Sequence, residues 1–352
     1  MKSVVRMGFI GAGSIGRVHM RAFAQAEGVQ LAGVTDVYRE AADRAAAEHG
    51  IAEVYDSAEA LLRSRSIDAV VIGVPNRWHA SLAVLAMRES KDVLLEKPMG
   101  IDAAAAEKIT DAQRQTGRIL MVSHQWRWEW LSMTLREQVE QGRFGRLYAV
   151  KAGWFRRKGI PGWGTWFTQK NQSGGGPLID IGVHLLDLSL WLMGNPRPVS
   201  VSGATYAAFG PARRGIGSWG RPDWNGTFDV EDLAMAMVRM EDGSLLTLDV
   251  SWAVHMATDN QPFIHLLGTE GGAGWHLSRG RLFTEQDSQA TETDIAPPQQ
   301  DEGSRVRLTA HFLQCVRERV QPLTSVATGL TNNRILDAIY QSSASGKEVT
   351  LS

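Results

Sequence analysis

Cysteine is almost absent from this sequence, which has one among 352 residues. A single cysteine excludes an internal disulfide and a zinc site built from cysteine pairs. Charge of one sign is also lacking, because the formal net charge is −1 and no long basic run predicts a nucleic-acid surface. The longest apolar runs, such as 185–193, fall short of the roughly 20 residues that cross a bilayer. We therefore expect neither nucleic acid nor a membrane as a partner.

The start of the chain, residues 1–6, runs directly into a β-rich segment and lacks the apolar core and cleavage site of a signal peptide. The lone Cys315 lies in an apolar stretch and is expected to be a small buried side chain. Both features favour a cytoplasmic location. A length of 352 residues with 43% hydrophobic content predicts two domains with sizeable cores.

Two different patterns divide the chain near residue 125. Over residues 1–124, short β-rich runs alternate with helical patterns, which predicts a doubly wound parallel sheet with right-handed crossovers. After residue 125, long segments of alternating polar and apolar residues, such as Leu233 to Met240, predict an antiparallel sheet with one covered face. One strong helix, 179–193, interrupts them. The predicted domains are therefore 1–124 and 125–352.

A glycine motif follows the first predicted strand. Gly11, Gly13 and Gly16 are spaced Gly-x-Gly-x-x-Gly, with Ser14 and Ile15 at the start of the next predicted helix. The first glycine allows a tight turn, the second lets the backbone approach a pyrophosphate, and the third lets the helix pack closely on the strand. The N–H groups of the helix then face the phosphates. The motif predicts that these five residues bind a dinucleotide.

Asp36 ends the second predicted strand, 20 residues past Gly16. A carboxylate there accepts hydrogen bonds from ribose hydroxyls and repels a 2′-phosphate, which favours NAD over NADP. Arg39 is the competing signal, because a nearby arginine can hold that phosphate. The sequence thus predicts NAD as the cofactor and NADP as the less favoured one.

Two further predicted strands end in residues that are suited to binding a ligand. Glu96-Lys97-Pro98 follows one predicted strand, and Pro75-Asn76 follows the strand before it. Open parallel sheets bind ligands at the carboxyl ends of their strands, so Lys97 is expected to contact the cofactor and to take part in catalysis. An ordinary exposed lysine is the alternative. The expected cofactor contacts at these strand ends are Pro75, Asn76, His79, Glu96 and Lys97.

Carboxylates and an imidazole recur at helical spacing after the flexible run 173–177. Asp180, His184 and Asp187 are spaced i, i+4 and i+7 and share one face of the predicted helix. A carboxylate so close can orient the imidazole and stabilise its charged form. A capping aspartate beside a core histidine is the alternative. No metal is expected, because no third ligand is evident.

The sequence resembles the glucose–fructose oxidoreductase/inositol dehydrogenase (Gfo/Idh/MocA) family over nearly its whole length. The resemblance lies in the glycine motif and in the segments Pro75 to His79, Glu96-Lys97-Pro98, Gly174 to Asp187, Glu231-Asp232, Gly268 to Gly271 and Ala338 to Ser342. It implies an α/β Rossmann domain at 1–124, joined to an α/β domain at 125–352 with a large, mostly antiparallel open sheet. The family's catalytic lysine, aspartate and histidine map onto Lys97, Asp180 and His184.

The resemblance also implies a homodimer or homotetramer formed through the open face of the C-terminal sheet. The sequence departs from the family at His124-Gln125-Trp126-Arg127-Trp128, where many relatives carry an Asn-x-Arg-aromatic pattern. The role of Gln125 is therefore open.

Tryptophan is abundant, with 12 in all, and many lie near the expected site. Aromatic faces suit the C–H faces of pyranose rings, and flanking polar groups hold hydroxyls. The expected substrate-binding residues are Gln125, Arg127, Arg156, Trp163 and Trp166. For the tryptophans, packing in cores and interfaces is the alternative. The insert 156–166 either caps the pocket or binds a neighbouring subunit.

Together, these features predict an NAD-dependent dehydrogenase that oxidises a secondary alcohol of a sugar, glycoside or cyclitol. The tryptophan-rich stretch is similar to that of relatives that act at ring C3. His184 is expected to be the general base, Lys97 to stabilise the same oxygen, and Asp180 to orient His184 or bind an adjacent hydroxyl. The alternatives are a glycosidase that uses transient oxidation by NAD and a non-catalytic regulator. The three catalytic residues count against the regulator.

Overall fold

The computed structural model describes residues 4–351. Met1–Ser3, at the start of the segment inspected for a signal peptide, and Ser352 lie outside the described residues. The chain divides into two compact units. One comprises the chain up to Gln125 with Glu302–Asn333, and the other comprises Trp126–Asp301 with the chain from Arg334. The predicted domain division, 1–124 and 125–352, stays a prediction, and it differs from these units in the placement of 302–333.

The first unit is built on a parallel sheet. Its strands are β1 (Val5–Ile10), β2 (Val29–Thr35), β3 (Glu53–Val54), β4 (Ala69–Ile72), β5 (Asp92–Leu95) and β6 (Leu120–Val122). In the described part of this unit they lie in the order β3-β2-β1-β4-β5-β6, and every neighbouring pair is parallel. The order reverses between β1 and β4. The carboxyl ends of these two strands therefore border the crevice where such sheets bind ligands.

Helices connect the strands of this sheet. They are α1 (Ser14–Ala24), α2 (Arg39–His49), α3 (Ala58–Arg63), α4 (His79–Arg88) and α5 (Ala103–Thr116). Asp102 caps α5 by accepting the Ala105 N–H at 2.7 Å, and Gly117 ends it in the left-handed region. Phe23 of α1 meets Phe9 of β1 edge to face, with ring centroids 5.9 Å apart. Helices cover both faces, so every residue of β4 and β5 is buried.

The second unit is built on a larger sheet. Its strands are β7 (Leu147–Phe155), β8 (Pro198–Tyr206), β9 (Leu233–Met240), β10 (Leu245–Ser251), β11 (Phe263–Gly268), β12 (Gly272–His276), β13 (Arg279–Gln286), β14 (Gln289–Ile295) and β15 (Val349–Thr350). Among residues 126–351 they lie in the order β14-β13-β12-β11-β7-β10-β9-β8-β15. Neighbouring pairs described there are antiparallel except β7 with β10. In β9 the alternate residues from Ala234 to Met240 are buried, whereas Met235 is 45% exposed. One face of this sheet is therefore covered and the other is open.

The covered face packs against helices of the same unit. These are α6 (Trp130–Glu140) and α8 (Val183–Leu192), and the short α7 (Lys170–Ser173) precedes α8 in the chain. All residues of α8 are buried, as expected of a helix that is apolar on every side. The predicted fold class, a doubly wound parallel sheet followed by a large, mostly antiparallel open sheet, is confirmed.

Two helices follow the second sheet, α9 (Ser304–Glu318) and α10 (Val326–Ser345). Phe312 of α9 meets Phe23 of α1 edge to face at 6.1 Å, which explains why 302–333 groups with the first unit. The division between the units falls within α10. For residues 4–351, helix length and hydropathy give no candidate for a membrane span. His, Cys, Asp and Glu side chains in that range form no group of three suited to a metal ion.

Candidate cofactor and catalytic sites

The glycine motif forms a loop between β1 and α1, and one side of this loop packs closely against the protein backbone. Gly11 has φ +102°, and a methyl group there would lie 2.3 Å from the Gly73 carbonyl oxygen. A methyl group on Gly16 would lie 2.0 Å from the carbonyl oxygen of Gly11. One on Gly13 would meet nothing within 4 Å. Close backbone packing therefore requires two of the glycines, and the third borders open space that fits a pyrophosphate.

Asp36 follows β2 and connects the strand end to the glycine loop. Its Oδ2 accepts the Ala12 N–H at 2.7 Å, and its Oδ1 accepts the Tyr38 N–H at 2.9 Å. A carboxylate offers about four lone-pair positions, so each oxygen can accept a further hydrogen bond. The position fits ribose hydroxyls, and the two backbone contacts also shape the loop.

Arg39, the residue that could favour NADP, is paired with two carboxylates. Its Nε lies 2.9 Å from Asp43 Oδ1, and its Nη1 lies 2.5 Å from Asp56 Oδ1. All three side chains are more than half exposed. The hydrogen bond to Asp43 raises the pKa of Arg39 further above its usual value, so the guanidinium remains charged.

Lys97 follows β5, and a buried carboxylate lies next to it in the chain. Glu96 Oε2 accepts the Lys97 N–H at 3.2 Å, and Glu96 Oε1 lies 2.8 Å from His19 Nε2. Arg305 of α9 brings its Nη1 within 3.3 Å of the same Oε1. Burial alone would raise the pKa of Glu96, but the hydrogen bond from His19 and the charge of Arg305 hold it well below its usual range. Glu96, which the sequence analysis placed at the cofactor, has both oxygens engaged within the protein and positions the Lys97 backbone.

His79 is fully buried and links two strand-end loops. Its Nδ1 lies 2.7 Å from the Pro98 carbonyl oxygen, and its Nε2 lies 3.0 Å from that of Val74. Burial lowers the pKa of His79. Direct contact with a cofactor, as expected from the sequence, does not fit these positions, because both ring nitrogens face backbone carbonyls. Asn76 begins a short 3₁₀ turn after Pro75 between the same two loops and is also buried.

Asp180 lies on a wider turn than the sequence predicts. In place of one continuous α-helix over 179–193, a π-helical turn, Leu178–Gly182, precedes α8. At the start of this turn, the buried carboxylate of Glu231, more than 50 residues later in the chain, accepts the N–H groups of Gly176 and Leu178 at 2.9 to 3.1 Å. Single π turns of this kind frequently occur at functional sites.

Two different tryptophans contact the Asp180 carboxylate and the His184 imidazole. Asp180 Oδ2 accepts the Trp252 Nε1–H at 3.1 Å. The His184 ring stacks on Trp126, with centroids 4.9 Å apart, and its side chain is buried. Trp126 in turn packs against Trp154 at 5.3 Å. Each of the two groups is thus held by an indole, and one face of the imidazole is covered by an aromatic ring.

Arg127 and Asp187 pair with each other inside the second unit. Arg127 Nε and Nη2 donate to the two Asp187 oxygens at 2.7 Å each, and both side chains are 2% exposed. The expectation that Arg127 binds substrate is therefore corrected, because this buried pair uses its guanidinium to anchor α8.

Arg156 lies near Asp180 in the second unit. Its guanidinium carbon stands 4.4 Å over the Trp154 ring, and its Nε donates to Asn260 Oδ1 at 3.3 Å. Burial lowers the pKa of Arg156, and the charges of Asp180 and Asp259 oppose that shift. The next residues are anchored nearby, since Gly159 N donates to the Trp252 carbonyl oxygen at 2.8 Å. Arg156 therefore lies near Asp180, and its role as a substrate ligand stays a prediction.

The two tryptophans of the insert pack against a second loop. Trp163 is buried and donates its Nε1–H to the Gly210 carbonyl oxygen at 2.8 Å, and Trp166 stacks on Phe167 at 3.7 Å. The partner loop, 209–229, carries Trp219 and Trp224, which are more than half exposed. The sequence analysis did not single out this loop, although its glycines, arginines and tryptophans interrupt the strand pattern. Trp163 therefore packs against the second loop, and the roles of Trp163 and Trp166 in substrate binding stay predictions.

The predicted residues thus group within each unit. In the first unit, the loop of Gly11 to Gly16, including Ser14 and Ile15 of the first turn of α1, lies with Asp36 at the strand ends. Gln125 ends the first segment of this unit, and its Oε1 is a buried acceptor without a partner among residues 4–351. In the second unit, Asp180 and Arg156 come together, and His184 follows on α8.

Comparison with known proteins identifies the family. Residues 5–124 match the model of an oxidoreductase family with an NAD-binding Rossmann fold, named GFO_IDH_MocA. Residues 132–273 match the model of the GFO/IDH/MocA C-terminal domain.

This chain belongs to the Gfo/Idh/MocA family.

Membership makes the first unit an NAD-binding Rossmann domain and the protein an oxidoreductase. The chain is 29% identical to a D-glucoside 3-dehydrogenase of Escherichia coli (strain K12), over 99% of this chain and 98% of that protein. It is 24% identical to a scyllo-inositol 2-dehydrogenase (NAD(+)) of Bacillus subtilis (strain 168), over 100% and 97%. Its fold matches that of a levoglucosan dehydrogenase in complex with NADH and levoglucosan, with TM-score 0.89, 22% identity and 99% of both chains covered.

Proposed function

We propose that this protein is an NAD-dependent dehydrogenase that oxidises a secondary alcohol of a sugar, glycoside or cyclitol, with ring C3 as the position. The turn that carries Asp180 and precedes His184, with both side chains held by indoles, is the observation that supports this best. The full-length similarity to a glucoside 3-dehydrogenase favours a glycoside over a free cyclitol. Bound NAD⁺ supplies the hydride acceptor, and the chain supplies binding, orientation and proton transfer.

The proposed roles follow from the chemistry of each side chain. His184 removes the proton of the reacting hydroxyl as general base. Lys97 donates to the same oxygen and stabilises the negative charge that develops there. Asp180 accepts from an adjacent hydroxyl or orients His184. The buried Glu96 carboxylate accepts the Lys97 N–H and so helps to hold the Lys97 backbone in position.

Hydrogen bonding to sugar hydroxyls is proposed for Arg156 of the second unit and, taken by itself, for Gln125 of the first unit. Arg156 presents guanidinium donors beside Trp154, which suit ring hydroxyls. Gln125 Oε1 is a buried acceptor that a hydroxyl donor would satisfy.

We also propose a homodimer or homotetramer through the open face of the second sheet, in the cytoplasm. Met235 and Tyr206 on that face are 45% and 54% exposed, which favours burial by a second copy. Sedimentation of wild type and Met235→Lys tests this, and a monomeric wild type would contradict it. A single cysteine and an NAD-dependent activity suit the reducing cytoplasm.

A substrate panel tests the proposed reaction. Glucose, methyl α- and β-glucosides, a 1,5-anhydro sugar, myo-inositol and scyllo-inositol are incubated with enzyme and NAD⁺, and NADH is followed by absorbance. We expect NADH with at least one glycoside and a ketone product that retains its glycosidic bond. Bond cleavage without net NADH would support the glycosidase alternative. Tight NAD⁺ binding with no reaction on any member would contradict the proposed substrate class.

A further inference from the structure

The ion pairs of Arg39 bear on the choice between NAD(H) and NADP(H). Arg39 is the first residue of α2, and Asp36, three residues earlier, occupies the position of the ribose ligand. Asp36 accepts the N–H of Tyr38, so the backbone just before Arg39 is held next to that carboxylate. An arginine in this place is the residue type that binds the 2′-phosphate of NADP.

The Arg39 guanidinium does not offer a free pair of parallel N–H donors to a phosphate. Arginine recognises phosphate best through two parallel N–H donors on one edge. Here Nε donates to Asp43 on the next turn of α2, and Nη1 donates to Asp56 after β3. These contacts place two carboxylates on one guanidinium. The local charge is therefore negative and opposes a further phosphate.

We propose that Asp43 and Asp56 are specificity-determining residues, which withhold Arg39 from a 2′-phosphate and so favour NAD(H). This inference rests on the proposed NAD-dependent function and extends it to two residues outside the motif. To bind NADP(H), Arg39 has to leave both partners, and the phosphate has to approach both carboxylates. The three side chains are exposed, so each pair contributes little alone and the effect depends on the two together.

Cofactor titration of a double variant tests the proposal. NADH and NADPH are each titrated by nicotinamide fluorescence into wild type and Asp43→Asn/Asp56→Asn. We expect the ratio of the NADPH to the NADH dissociation constant to fall by about fivefold or more, from loss of two weak pairs and their repulsion. In the triple variant that adds Arg39→Gln, most of this fall in the ratio should be lost, because the released guanidinium is then missing and only the smaller effect of removed repulsion remains.

Matched controls separate the possible causes. Asp111→Asn breaks an exposed pair with Arg114 at 2.9 Å elsewhere in the same unit, and should leave the ratio unchanged. Arg39→Gln in the wild-type background should weaken NADPH binding less than twofold, because the guanidinium is already engaged. Melting curves confirm that each variant is folded.

Three outcomes would overturn the inference. These are an unchanged ratio in the double variant, a fall in the ratio that persists in full in the triple variant, and a large loss of NADPH binding in Arg39→Gln alone. The second would mean that the carboxylates act only by repelling phosphate and not through Arg39, and the third that Arg39 already binds the phosphate. A wild type that binds neither cofactor would instead contradict the proposed function, so the two failures are distinguishable.

Discussion

The buried pair of Arg127 and Asp187 gives the sharpest prediction about stability. Arg127→Met keeps much of the side-chain volume but leaves the Asp187 carboxylate without the two donors that now lie 2.7 Å from it. With both side chains only 2% exposed, water cannot replace those donors without opening the core. Removing one partner of such a pair typically costs about 3–5 kcal/mol, since an uncompensated charge remains buried.

This cost converts into a large change in melting temperature. For a unit of roughly 200 residues, about 1 kcal/mol shifts the melting temperature by about 2–4 °C. The expected loss is therefore about 6–20 °C by differential scanning calorimetry at pH 8. The unpaired carboxyl would have its pKa in the folded state raised above the unfolded value. The loss should thus shrink toward pH 5, where the folded protein can carry Asp187 protonated.

A matched double variant separates charge from packing. Arg127→Met with Asp187→Leu removes both charges and should recover most of the lost stability, because buried pairs can be replaced by apolar residues with little change. A single variant that melts within about 2 °C of wild type at pH 8 would refute the reasoning, because it would show that solvent reaches the pair.

Three further predictions concern the first unit. Lys97→Ala should lose about 10²–10³ in kcat while its melting temperature and NADH affinity stay near wild type; near-normal turnover would refute its role. Burial raises the pKa of Cys315 to about 11, so the native thiol should resist a thiol reagent at pH 8 and react fully in denaturant. Burial lowers the pKa of His19, so the free energy of unfolding should fall with pH below about 6.5 as the unfolded state takes up protons first. In His19→Gln, the free energy of unfolding should fall less steeply as the pH is lowered. An equal slope in the variant and in wild type would contradict the assignment of this effect to His19.

Local patterns were enough to predict the elements that hold the candidate cofactor site. The glycine spacing placed the turn between β1 and α1, and close packing at Gly11 and Gly16 explains why glycine is required there. Asp36 at the end of β2 follows from the same strand–helix alternation. Each of these signals lies within a short stretch of chain, where propensity and turn chemistry decide the structure.

Long-range pairing accounts for the residues whose roles differ from expectation. Nothing near Arg127 in the sequence indicates that Asp187, 60 residues later, takes up its guanidinium. The His79 ring nitrogens find backbone carbonyls, which leave no mark in the side-chain pattern. Arg305 joins Glu96 across 209 residues, so the placement of 302–333 could not be inferred from local composition.

The π-helical turn that carries Asp180 differs from the single α-helix that the sequence predicts. A spacing of i, i+4 is compatible with one α-helix, and the sequence around 179–193 is strongly apolar. The wider turn at 178–182 forms where Glu231, from just before β9, accepts N–H groups at the start of the helix. A sequence pattern with period 3.6 carries no record of that contact.

Transfer of deuterium tests the central claim, hydride transfer from a ring carbon to NAD⁺, most directly. The glycoside that gives the most NADH is prepared with deuterium at C3, and the reduced cofactor is analysed by mass spectrometry. The proposed reaction predicts one deuterium per reduced nicotinamide in wild type and a much slower appearance of the same product in His184→Ala. Reduced cofactor without deuterium would contradict oxidation at C3, and cofactor that is never reduced while substrate is consumed would contradict the dehydrogenase itself.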